Sequence, residues 1–195
     1  MIIEFETSRV WVRPLSADDE ALYRELFTDA QTMRFIGPPL SAGRATRNFR
    51  KYIRSSRRPA ARTLLLAMIE KSTGQAVGIG AIQQLDERRR RAEAGMIFKP
   101  VAHARGFAKE VLPVMITRAF TLLPIDEVSA LVSADHAVVE RLLTSVGFAR
   151  RDGATGDECP AKYVWSAGRE SWFRQATTNS WATDGQLTGR VQCRT

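Results

Sequence analysis

The residues whose types and spacing can do chemistry lie together in one stretch, Glu93-Ala94-Gly95-Met96-Ile97-Phe98-Lys99-Pro100-Val101-Ala102-His103-Ala104-Arg105-Gly106-Phe107-Ala108-Lys109-Glu110. An apolar run stops at a proline. A short loop with a glycine follows, and then an apolar segment long enough for a helix, Phe107 to Leu123. A strand that feeds a helix through such a loop leaves the first N–H groups of the helix without partners. With the helix dipole behind them, those groups form an anion site, best suited to phosphate. Backbone N–H groups from His103 to Ala108 can surround a pyrophosphate only if side chains stay clear. Gly106 has no side chain, and Ala104 and Ala108 have small ones. Arg105 can add charge-assisted bonds to the same phosphates.

The elements that must hold this loop can be read outward from it. Arg9 to Pro14 alternates polar and apolar residues and is expected as a half-buried strand. Ala21, Leu22, Leu26 and Phe27 give helical spacing to about Asp29, and Gly37-Pro38-Pro39 breaks the chain. A second helix is expected over 42–56, with Ala45, Phe49, Tyr52 and Ile53 on one face. Three strands follow, over 63–69, 76–85 and 92–98, too close in sequence for helical crossovers, so an antiparallel meander is expected. After the loop come a helix over 106–122 with a kink at Pro113, a strand over 127–133, a helix over 136–146 closed by Gly147, and a strand over 161–166. This order is an α+β layout, a mixed, mostly antiparallel sheet flanked by helices. Residues 1–174 are expected to form one domain, and the polar, aperiodic stretch 175–195 a flexible tail.

Composition sets bounds on the function. No apolar run approaches the length that spans a bilayer, about 20 residues. The start Met1-Ile2-Ile3-Glu4 lacks the basic and apolar regions of a secretory signal. Cys159 and Cys193 are too few for a disulfide framework and lack metal-ligand spacing, so a cytoplasmic protein with no metal is expected. The formal charge of +8 is local. Between Ser41 and Thr63 there are eight basic residues and no acid, and subtracting them from 29 leaves 21 against 21 acids.

Taken as an ordered set, these residues resemble the GNAT superfamily of acyl-CoA N-acyltransferases, in particular the branch of bacterial ribosomal-protein alanine acetyltransferases. The cofactor-loop pattern of the family, Val-x-Pro-x-x-(Gln/Arg)-x-x-Gly-x-(Gly/Ala), stands here as Phe98 to Ala108, and the continuation Gly106-Phe107-Ala108-Lys109-Glu110 is similar to the branch's Gly-Tyr-Ala-x-Glu. Glu6 to Leu15 resembles its opening strand, Leu142 to Phe148 the end of its fourth helix, and Tyr163-Val164-Trp165 with Glu170-Ser171-Trp172 its closing segment.

The resemblance implies a three-layer GNAT-like fold and acetyl-CoA as acyl donor, with direct attack by a primary amine in a ternary complex. It implies that Ile97, Phe98 and Lys99 pair with the pantetheine arm as a strand would, and that the Phe98 N–H faces the thioester oxygen. Glu93 is the candidate base, directly or through a water, or else a strand-end surface carboxylate. Ser133 positions the amine or is a plain strand-end serine. His103 replaces the usual Gln or Arg and lends backbone to the loop. His136 stands where the branch has Asn and can hydrogen-bond the cofactor arm. Leu143 or Thr144 replaces the tyrosine that many members use as acid, so the thiolate leaves unprotonated, a thiol pKa near 8.5 making that tolerable. These departures leave a second reading open, a regulatory module that binds acyl-CoA without turnover.

In the family the first helices line the acceptor side. The stripe Arg44, Arg47, Lys51, Arg54 and Arg58 therefore suggests an acidic acceptor or a protein N-terminus. RNA phosphate around a ribosome-bound target would suit it as well. Nucleic acid as the primary ligand is disfavoured, since only Phe49 and Tyr52 accompany the arginines. A homodimer is common in the branch.

Overall fold

The structure is a computed structural model that describes residues 3–56, 58, 61–154 and 162–176. Its strands form one eight-stranded sheet in the order β1-β2-β3-β4-β5-β6-β8-β7. The strands are β1 (Phe5–Glu6), β2 (Val10–Pro14), β3 (Leu64–Glu70), β4 (Ala76–Asp86), β5 (Arg91–Phe98), β6 (Glu127–Ser133), β7 (Ala149–Ala154) and β8 (Lys162–Gly168). The expected meander is there: β3, β4 and β5 pair antiparallel in sequence. Every neighbouring pair is antiparallel except β5 with β6, which the helical crossover between them makes parallel.

The helices are α1 (Glu20–Thr28), α2 (Ala30–Met33), α3 (Ala42–Ser56), α4 (Phe107–Leu122), α5 (Ala137–Ser145) and α6 (Arg169–Ala176). They cover the sheet in two layers, each with its own core. On one side Leu22, Leu26, Ala45 and Phe49 of α1 and α3 pack on Ala67, Ile79 and Ile97. On the other, Phe107, Val111, Met115, Ile116 and Phe120 of α4 pack with Trp172 of α6 on Val128, Ala130 and Val132. The alternation of side chains along a strand sends Ile97 to the first core and Met96 and Phe98 to the second.

Four short elements were missing from the expected order: β1, α2, β7 and α6. β7, Ala149-Arg150-Arg151-Asp152-Gly153-Ala154, has no apolar period, and its strand character comes from pairing with β8. α2 carried a local signal, Asp29, whose side chain accepts from the Thr32 N–H at 2.6 Å and caps the helix. α6 runs to Ala176, past the expected domain boundary at 174, and most of the expected tail lies outside the described residues. α4 continues through Pro113 without interruption.

Candidate active site

The parallel pairing that joins the two halves of the sheet is short. Arg91, Ala92 and Glu93 pair with Glu127, Val128 and Ser129, and there the ladder ends. β5 runs on to Phe98 and β6 to Ser133, so the last residues of both strands flank an open wedge. Hydrogen bonds show which backbone groups face it. The Lys99 N–H donates to the Val77 carbonyl on the β4 side (2.9 Å), whereas the Ala92 carbonyl accepts from Ser129 Oγ on the β6 side (3.4 Å). Alternation along the strand then turns the N–H and C=O of Met96 and Phe98 into the wedge. Met96 is the group that the sequence reading missed. Strand parity would have found it once the side of a single residue was known.

At the head of the wedge the chain makes a 3-10 turn, Pro100–Ala102, and enters the loop. Ala104 sits at φ +59° and Gly106 at φ +79°, two left-handed residues separated by Arg105. Alternation of this kind bends successive N–H groups toward one concave side, an anion-binding nest. The N–H groups of 104–109 have no backbone partner among the described residues; the first in-helix bond is Glu110 N–H to the Gly106 carbonyl. Two arginines hold the nest. The Arg9 guanidinium donates to the Arg105 carbonyl (3.0 Å) and pairs with Glu110 in the first turn of α4 (2.7 Å). Arg105 pairs with Glu70, and both guanidinium groups lie against the Phe107 ring, 4.9 Å and 4.7 Å from its centroid. The Arg105 side chain is thus engaged within the protein, and the open donors are backbone.

One histidine stands at the end of each strand of the wedge. His103 Nε2–H donates to the Phe98 carbonyl (3.1 Å). His136, between β6 and α5, stacks on Phe35, ring centroids 4.0 Å apart, so the segment after α2 reaches across to the end of β6. Burial lowers the His136 pKa from its ordinary value, and the positive charges of Arg34 and His103 lower it further. Ser133 is 2% exposed, and its Oγ has no hydrogen-bond partner among the described residues. A buried hydroxyl of that kind marks a place where a ligand or water completes the bonding. Lys99 points to the α1 side and pairs with Glu25 (2.8 Å).

Glu93 lies at the base of the wedge, beside Ser129, three residues before Met96 or roughly 10 Å along the strand. Its carboxylate accepts from Gln83 Nε2 (2.7 Å) and Gln84 Nε2 (3.1 Å). A register irregularity in β4, with Gln84 at φ +52°, brings both amides to one carboxylate. The site residues thus fall into two groups: Phe98, His103, His136 and the nest at the head, and Glu93 at the base.

The basic stripe is elsewhere. Arg47 and Lys51 lie two residues beyond Ala45 and Phe49, about 200° around the helix. Ala45 and Phe49 are buried against the sheet, so Arg44, Arg47, Lys51 and Arg54 point away from it and are exposed. The stripe thus lies on the face of α3 turned away from the sheet.

A splayed parallel pair headed by a backbone nest is the arrangement that the resemblance implies for an acyl-CoA-dependent acyltransferase. The family comparison agrees: residues 9–149 match the acetyltransferase (GNAT) domain, and the chain belongs to that family. An uncharacterized N-acetyltransferase, YoaA of Bacillus subtilis (strain 168), is 31% identical over 78 residues, 40% of this chain; the match spans 44% of that relative. Among solved structures, the spermidine N-acetyltransferase of Vibrio cholerae in complex with CoA and spermine superposes with a TM-score of 0.76 at 16% identity, covering 86% of this chain and 99% of that one. The ribosomal-protein-S5-alanine acetyltransferase of Vibrio fischeri superposes with a TM-score of 0.73 at 12% identity, covering 87% and 98%. At these identities the structures establish a shared fold.

Among the described residues no helix is long and apolar enough to cross a membrane.

Proposed function

We propose that this chain transfers the acetyl group of acetyl-CoA to a primary amine by direct attack within a ternary complex. The single observation that carries the reading is the wedge: the β5–β6 ladder stops after Glu93, and the free backbone edge it leaves leads straight to the nest of 104–109. The residues suit acetyl-CoA on three counts. The nest donors suit a pyrophosphate, the Met96 and Phe98 edge suits an amide-bearing arm laid alongside it, and the Ser133 hydroxyl offers a buried polar contact. When bound, acetyl-CoA supplies an activated acetyl thioester.

The N–H groups of Met96 and Phe98 are fixed by the sheet and aimed into the wedge, where they can meet negative charge developing on the thioester oxygen. Preorganised donors do this without reorganising during the reaction. The amine must arrive deprotonated. Glu93 is the candidate acceptor of its proton through water, held in place by Gln83 and Gln84. His136, its pKa lowered, is neutral at physiological pH and can hydrogen-bond the arm from the opposite side. Carbon–nitrogen bond formation and carbon–sulfur cleavage then leave an amide and the CoA thiolate.

With the basic stripe facing outward, the proposal for the acceptor is a primary amine without a required acidic group. Peptide N-termini and small polyamines both meet that condition. The test is a thiol-release assay with acetyl-CoA against peptides of different first residues, polyamines and aminoglycosides. Amine-dependent release with at least one of them is expected. Saturable acetyl-CoA binding without release across the panel would instead establish a binding module.

A further inference from the structure

Arg44, Arg47, Lys51 and Arg54 form a row on the outer face of α3, and Arg58 extends it just past the helix. All are exposed, and none forms an ion pair with another described residue; only Arg50, at the edge, is taken up, by Glu20 (3.3 Å). Like charges three and four apart on a helix repel one another. The helix dipole favours a cation only in the last turn, which accounts for Arg54 and opposes Arg44 in the first turn. Nothing among the described residues offsets this arrangement.

We propose that the outer face of α3 docks the phosphodiester backbone of a nucleic-acid duplex, at a surface separate from the acetyl-transfer wedge. Three observations select this partner. A membrane-surface helix needs a free apolar face, but the apolar face of α3 is spent on the core through Ala45 and Phe49, and the Tyr52 hydroxyl accepts from the Leu65 N–H (2.9 Å). An acidic protein partner would want an apolar centre in its interface. The exposed large apolar side chains among the described residues are Ile36, Val101, Leu131, Val138 and Phe173, none of them on α3. Single strands are bound by stacking on aromatic rings, and the outer face carries none. What remains is a row of mostly arginine, whose planar fork matches phosphate oxygens. From Arg44 to Arg54 the row is about 15 Å long, enough to reach phosphates across a groove about 12 Å wide.

The experiment measures binding of the full chain to a short RNA duplex and the DNA duplex of the same sequence across a salt series. Single-stranded RNA, phosphatidylserine vesicles and polyglutamate run in parallel. Four phosphate contacts predict that log K falls by about 3 to 4 per decade of salt, a loss of roughly 100-fold between 50 and 200 mM. The R44E/R47E/K51E/R54E variant is expected to lose duplex binding and to keep its melting temperature and acetyl-CoA affinity. The neutral R44Q/R47Q/K51Q/R54Q variant, free of new charge repulsion, gives the same reading if the first fails to fold. Binding to both duplexes, or preferentially to one, supports the proposal, and the RNA and DNA arms identify the source of the phosphates. Duplex binding that survives both variants, a slope near zero, or binding confined to vesicles, polyglutamate or single strands would overturn it. Loss of transfer to a small amine in the neutral variant would also overturn it and return the stripe to the acceptor.

Discussion

Gly78 stands opposite Phe98 in the β4–β5 register, directly behind the strand that offers its backbone to the wedge. A methyl group added there would meet the Ile97 carbonyl oxygen at 2.4 Å, the Met68 Cε at 2.9 Å and the Phe98 ring at 3.0 Å. Real contacts of this kind do not fall below 3.0 Å, so the Gly78→Ala variant must push the Ile97–Phe98 backbone by at least about 0.6 Å. The displacement acts on the Phe98 N–H itself. Misplacing a reacting geometry by 1 Å costs on the order of 100-fold in rate, so kcat/KM for acetyl transfer should fall between about ten- and a hundred-fold. Overpacking a filled site costs about 1–3 kcal/mol, equivalent to a melting temperature lower by roughly 2–12 °C for a domain of this size. Gly80→Ala is the internal control. Two residues along the same strand, its methyl would meet the Met115 sulfur at 3.0 Å, on a flexible side chain that can move aside. Activity should there stay within about fivefold, the equivalent of the ~1 kcal/mol scale of a tolerated repacking. Steady-state kinetics with saturating amine and a thermal melt on both variants decide the matter. Equal losses in the two, or wild-type kcat/KM in Gly78→Ala, would refute the role given to the β5 edge.

Gly106 sits at φ +79°, where an alanine costs about 1–2 kcal/mol; Gly106→Ala should weaken acetyl-CoA binding roughly 5- to 30-fold by calorimetry, since its methyl would meet nothing closer than Arg9 at 3.5 Å. Arg105 hydrogen-bonds hold the Glu70 carboxylate below its usual range, against the raising effect of burial and with help from Thr73. A lowered folded-state pKa stabilises above the unfolded carboxylate value, and that contribution is lost as pH falls through the folded value. Arg105→Gln should therefore melt below the wild type at neutral pH, with the gap closing in melts run toward acid. Arg34→Ala removes a positive charge beside His136, so its imidazole should titrate higher in an NMR pH series; an unchanged midpoint would leave burial and His103 as the causes.

The local sequence by itself determined the elements that carry their own period and the loop that carries its own glycine. The 42–56 helix, the 127–133 strand and the meander follow from short-range spacing of apolar residues, and a phosphate nest at Gly106 follows from a strand, a small-residue loop and a helix in succession. β7 and α6 were not legible because their order comes from neighbours, the edge of β8 in one case and the seat of Trp172 beside Phe120 in the other. Tertiary structure alone decided where the β5–β6 ladder ends, and so that Met96 as well as Phe98 presents its N–H to the wedge. It also brought Phe35 onto His136 across a long sequence separation. It turned the arginines of α3 outward as well. Helical spacing shows that charges share a face, but only the packing of Ala45 and Phe49 on the sheet fixes which way that face looks.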